Sequence, residues 1–239
     1  MLQGLLTLPV IVPVLFWAAY HYHKDRHLPE PPGNLLLCLL LGVAASLLAK
    51  QMYLGLEPLG IRYDAVALAR DNTWGLLAYA LLVIGPLEEF AKMLPFLIVV
   101  LRMKAFDEPL DGIIYASFIA LGYAAAENVH YLDLLTPLEA AARGFASPVV
   151  HIVFASLWGH WIGQAHLSKR PVLPAVLAGF LLAATAHGIY DFIVFQDPRY
   201  APFVAALLIV AMWIWRLSLM DALHHDAVVA NRSESGNDS

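Results

Sequence analysis

The sequence predicts an all-α fold, a polytopic bundle of about seven transmembrane helices around a polar intramembrane cavity. Three observations carry that prediction. Of 239 residues, 60% are hydrophobic and only 14% charged, with a mean hydropathy of +0.67; a soluble domain is about half apolar and a quarter charged. The apolar residues run in stretches of about 20, the length that crosses a bilayer, where only a helix satisfies its own backbone. Ionisable groups nevertheless recur within four successive stretches, although each costs about 2.5–3.5 kcal/mol to insert at mid-bilayer. A net charge of −5 with 14 scattered bases offers no surface for nucleic acid. The single cysteine, Cys38, rules out an intramolecular disulfide.

The elements follow in order. Residues 2–20 are apolar with no basic start and no small-residue cleavage pattern. They read as a retained span rather than a signal peptide, though Pro9 and Pro13 interrupt it. After a linker ending in Pro31-Pro32-Gly33, the second span is expected over 34–55, and residues 57–72 have room for a short interfacial helix. The third span is expected over 74–101, the fourth over 112–132, the fifth over 146–165, the sixth over 171–195 and the seventh over 201–220. Polar turns at 102–111 and 166–171 separate them. Residues 1–220 thus read as one membrane domain with a motif core at 85–191, and 221–239 as a polar, disordered tail. No internal repeat supports an inverted-repeat transporter.

Lys and Arg in the connections set orientation. Lys24, Arg26, Arg102, Lys104, Lys169, Arg170, Arg216 and Arg232 fall on one side, and Lys50, Arg62, Arg70, Arg143 and Arg199 on the other. Eight against five favours an extracytoplasmic N-terminus and a cytoplasmic C-terminus.

The chemistry lies in spans three to six. "GPLEEFAK" (85–92) puts Glu88, Glu89 and Lys92 in one apolar helix. Glu88 and Lys92 stand at i, i+4 and are expected to pair; Glu89, about 100° round the helix, must find partners on other spans. "GYAAAENVHY" (122–131) places Glu127 and Asn128 among small residues that admit close helix neighbours. "HIVFASLWG" (151–159) carries His151 in an otherwise apolar stretch, and "HGIYD" (187–191) sets His187 and Asp191 at i, i+4 on one face. Each has a bland counterpart: a structural ion pair, a headgroup-facing Glu, a packed histidine, a buried His–Asp pair. One shared polar cavity accounts for all of them together. Carboxylates beside imidazoles suit activation of water, either directly or through a bound Zn2+ held by ligands drawn from Glu89, Glu127, His151, His187 and Asp191. No HExxH is present, and the residues leave open whether the cofactor is Zn2+ or none.

These four motifs, in this order on successive spans, resemble those of the PrsW-type intramembrane proteases, distant relatives of the CAAX prenyl endopeptidases and Abi/CPBP proteins. The resemblance covers roughly residues 85–191. It implies a membrane-embedded endopeptidase of the bacterial cytoplasmic membrane that cuts a membrane-anchored protein. In the best-known members that protein is an anti-sigma factor, clipped on the extracytoplasmic side. By the motif match, Glu88, Glu89, His151 and His187 are the essential groups, with Lys92, Glu127, Asn128 and Asp191 in support. The family is filed with metallopeptidases, whereas its CAAX relatives are argued to be metal-free and glutamate-dependent. The residues alone also allow a proton- or ion-coupled transporter, since buried carboxylates and histidines make proton relays, or a non-catalytic scaffold. A haem held by His151 and His187 is the remotest alternative.

Overall fold

A computed structural model describes the backbone of residues 2–24, 29–196 and 201–237, and the side chains of 8–24, 29–196 and 203–223. The described residues contain nine α-helices and no strand. They are α1 (Leu2–Lys24), α2 (Pro32–Leu56), α3 (Ala65–Asp71), α4 (Thr73–Tyr79), α5 (Gly85–Ile98), α6 (Asp111–Tyr131), α7 (Pro137–Leu167), α8 (Val172–Gln196) and α9 (Ala201–Asn237). Among the described residues, five segments, Pro32–Leu59, Asp111–Tyr131, Pro137–Leu167, Val172–Gln196 and Phe203–Leu223, are long and apolar enough to cross a membrane. The chain is a helical membrane bundle. The expected third span is α4 and α5 joined by a π turn at Ala80–Ile84, just before Gly85-Pro86. Such turns within α-helices are frequent at functional sites.

Several boundaries differ from expectation. α2 begins at Pro32, because proline suits a first helical turn whose N–H needs no partner. α7 begins at Pro137, nine residues before the expected 146, under a capping box in which Thr136 and Glu139 satisfy each other's backbone N–H. α9 has helical backbone to Asn237, well into the segment expected as a disordered tail. A helix emerging from a span continues where no proline or turn residue stops it. Arg26 and Arg199 of the orientation tally lie outside the described residues. Arg216 is no loop residue: it is fully buried in α9, where Nε and Nη2 donate to Ser156 and Ser117 at 2.8 and 2.9 Å.

α6 forms the centre of the bundle, buried continuously from Asp111 to Ala124. Its neighbours approach closely where glycine removes a side chain. A Cβ on Gly42 of α2 would stand 1.9 Å from the Ile119 carbonyl oxygen, and one on Gly122 of α6 would stand 1.9 Å from that of Leu39. α1 keeps its helix through both prolines. Pro13 has no N–H to offer the Pro9 carbonyl, and that oxygen packs instead against Gly144 of α7, 2.0 Å from where a Cβ would be.

Candidate active site

α5 and α8 meet at two glycines. A Cβ on Gly85 would lie 2.2 Å from the Ala184 carbonyl oxygen, and one on Gly188 would lie 2.6 Å from that of Ala80. This contact delivers the next turn of α5, with its two glutamates, to His187 on α8.

Glu89 is completely buried and surrounded by donors. Lys92 Nζ lies 2.5 Å from Oε1, His187 Nδ1 2.7 Å from the same oxygen, and Trp158 Nε1 2.9 Å from Oε2. The expected Glu88–Lys92 pair is therefore not formed. Lys92 turns to Glu89 at i, i+3, a spacing that also places two side chains on one helix face. Tertiary contacts hold the ammonium there: it lies 3.1 Å from His151 Nδ1 and 4.9 Å from the centre of the Tyr123 ring.

Glu88 is left facing a cavity. Its Oε1 lies 3.4 Å from the Tyr53 hydroxyl, and its Oε2 is buried without a hydrogen-bond partner, 3.7 Å from His187 Nε2. Asp191 Oδ2 is 3.5 Å from the same nitrogen, so His187 and Asp191 do share a face as their spacing predicts. Glu127 joins from α6: Oε2 is 2.8 Å from His151 Nε2 and Oε1 is 2.9 Å from Arg143. On α7, His151, Phe154 and Trp158 follow one face, and Phe154 stacks on the His187 ring at 4.9 Å. The cavity, about 570 Å³, is lined by Glu88, Glu127, His151, His187 and Asp191 among others. Asn128 is buried but does not line it, and Glu89 and Lys92 lie behind its wall.

Each tautomer follows from its neighbours. An ammonium has no lone pair, so His151 Nδ1 accepts from Lys92 and Nε2–H donates to Glu127. His187 Nδ1–H donates to Glu89, leaving the Nε2 lone pair toward Glu88 and Asp191. A carboxylate behind an imidazole whose other nitrogen is free is the usual second layer of a metal site. Glu88, His151 and His187 each offer one ligand atom, all within 4.8 Å of one another. The carboxylate of that trio is Glu88, not Glu89 as the sequence-derived ligand set has it; the oxygens of Glu89 are taken. The donor set suits a metal: Glu88 Oε2 has no hydrogen-bond partner and His187 Nε2 keeps its lone pair, while His151 would have to give up its contact to Lys92 or Glu127 to join them.

The description "PrsW family intramembrane metalloprotease" matches residues 30–217. The chain belongs to that family. It is 29% identical over 224 residues to Protease PrsW of Clostridioides difficile, covering 90% of this chain and 88% of the relative. It is 30% identical to Protease PrsW of Geobacillus kaustophilus over 203 residues, 85% of each chain. The figure is also 30% for Protease PrsW of Oceanobacillus iheyensis, over 85% of this chain and 91% of the relative. No solved structure matches. PrsW membership makes the chain an intramembrane protease and fits the Glu–His–His cluster.

Four contacts to these groups were not anticipated from the sequence: Tyr53 on Glu88, Arg143 on Glu127, Trp158 on Glu89 and Tyr123 under Lys92. Arg143 had a readable signal, since "TPLE" (136–139) is a capping-box sequence that starts α7 early enough to place Arg143 within a span. The other three are aromatic residues in apolar stretches, where nothing local separates a donor from packing.

Proposed function

We propose that the chain hydrolyses a peptide bond of a membrane-anchored protein within this cavity, with Glu88, His151 and His187 holding a divalent metal. A bound metal would polarise the attacking water and the scissile carbonyl. Glu89 holds His187 Nδ1–H so that Nε2 keeps its lone pair toward the cavity. Lys92 pairs with Glu89, and Glu127 holds His151 Nε2–H, so that Nδ1 would be the ligating nitrogen in place of its contact to Lys92. Asp191 takes the proton of the attacking water and returns it to the leaving nitrogen. Of the cavity carboxylates not assigned to the metal it is the one without a strong partner, since Glu127 is committed to Arg143 and His151. By the family resemblance the substrate is an anti-sigma-factor-like protein cut on the extracytoplasmic side. The cavity's position supports this. It lies at the end of the bundle carrying residues 57–72 and 132–136, which is the outer end in the orientation favoured by charge.

The observation that carries the reading is Glu88 Oε2, a buried carboxylate oxygen without a partner, beside two imidazoles. The test is cleavage of a single-span substrate by reconstituted protein, with metal content measured on the same sample. Asp191→Asn and Glu88→Gln are each expected to lower the rate at least about 100-fold with the fold intact. Chelation should abolish cleavage and added Zn2+ restore it. Full activity without bound metal would overturn the metal assignment, and an active Asp191→Asn would overturn the proton acceptor.

A further inference from the structure

An intramembrane protease must admit its substrate from the bilayer, and α2 and α6, which pack closely along much of their length, both line the cavity at one end. At their crossing the backbones touch through Gly42 and Gly122. Beyond it, toward the cavity, both helices line the chamber with side chains that also reach the exterior. On α2 these are Leu47, Lys50 and Leu54, and on α6 Val129 and His130. Leu47 is 59% exposed, Leu54 40% and Val129 56%, so the α2 wall carries an apolar strip that leads from the exterior to the polar chamber, with Val129 on the α6 wall. Lys50 lies eight residues beyond Gly42, about 12 Å further along the helix.

Lys50 is the unusual group here. It is exposed at the cavity wall and makes no hydrogen bond or ion pair among the described residues. The cavity's own carboxylates face other groups: Glu127 faces Arg143 and His151, Glu88 faces Tyr53, and Asp191 faces His187. His130, on the α6 wall, makes among the described residues a ring contact with Tyr131, 6.2 Å between centroids. An apolar strip ending in an unpaired ammonium complements a peptide that is apolar along its length and acidic at one end.

We infer that substrates enter laterally between α2 and α6, and that Lys50 selects those with an Asp or Glu flanking their transmembrane segment on the cleaved side. This rests on the protease reading above. The occupant is the substrate's acidic juxtamembrane segment; an anionic lipid headgroup is the competitor that the test must eliminate.

The full-length protein is reconstituted in phosphatidylcholine vesicles with single-span substrates. Their four residues flanking the span on the cleaved side are acidic, neutral amide or lysine. Wild type is expected to cleave the acidic substrate on the order of tenfold faster than the lysine one. Lys50→Glu should reverse that order, chiefly through KM, at an unchanged thermal midpoint. Equal effects of Lys50→Glu on all three substrates would overturn the inference. So would an effect that follows added phosphatidylglycerol rather than substrate charge. Wild type that cleaves none of them would instead sink the protease reading. Independently, a photocrosslinker at Leu47 or Val129 in Asp191→Asn protein should capture substrate. One at Leu36, equally exposed but before the crossing, should not; equal capture at Leu36 would refute lateral entry here.

Discussion

Adjacent glutamates on one helix have acquired opposite situations. Glu89 is enclosed by an ammonium, an imidazole and an indole, whereas Glu88 keeps a bare oxygen at the cavity. Breaking a buried ion pair by removing one partner costs about 3–5 kcal/mol, because the other charge is left uncompensated. Glu89→Gln is therefore expected to destabilise the protein by roughly that amount, abolishing activity through loss of the fold. Glu88→Gln should abolish activity at a nearly unchanged thermal midpoint. Midpoints of the two purified variants, read beside their cleavage rates, check this; equal midpoints would refute the division of roles. Lys92→Met combined with Glu89→Gln should recover part of the lost stability but no activity, since the coupled pair is then removed together. That the region brings carboxylates into the interior of the bundle was legible, because charge in an apolar helix demands a reason. Which glutamate Lys92 chooses was not, since i+3 and i+4 both fit a helix and His151, 59 residues away, decides.

Between elements, glycine contacts fix how far the helices stand from one another, and the site depends on one of them. Gly85 lies one turn before Glu88 and Glu89, with a Cβ position 2.2 Å from the Ala184 carbonyl oxygen. That acceptor is backbone and cannot swing aside. Gly85→Ala is expected to push α5 off α8 and carry both glutamates away from His187. Misplacement of about 1 Å costs on the order of 100-fold in rate. Gly55→Ala is the control, since a Cβ there meets nothing within 4 Å. Its activity should match wild type, and its stability should rise slightly through a less flexible unfolded chain. Steady-state rates and thermal midpoints of the pair test this, and a fully active Gly85→Ala protein would refute it. The spans themselves were legible from hydropathy. The start of α7 was legible too, had "TPLE" been read as a cap. Small-residue contacts between helices were not, because a glycine in an apolar run does not say which neighbour it faces.

For the whole molecule the question is which side of the membrane the cavity faces, and here the structure alters the charge count. Arg216 is buried between α6, α7 and α9, and Lys50 and Arg143 line the cavity within helices; none of the three is a loop charge. At the end opposite the cavity the described residues retain Lys24, Arg102, Lys104, Lys169 and Arg170, and at the cavity end Arg62 and Arg70. Five against two is a steeper asymmetry than eight against five. Positively charged connections stay in the cytoplasm, so the cavity is expected to open outward, the side on which an anti-sigma-like substrate would be cut. Single cysteines test the sense directly in a Cys38→Ser background, where the buried native thiol no longer interferes. Asp133→Cys, exposed at the cavity end, should react with a membrane-impermeant maleimide in intact cells. Ser168→Cys, exposed at the opposite end, should react only after permeabilisation. The reverse pattern would place the carboxylates and imidazoles at the cytoplasmic face, and the substrate would then have to present its scissile bond from inside.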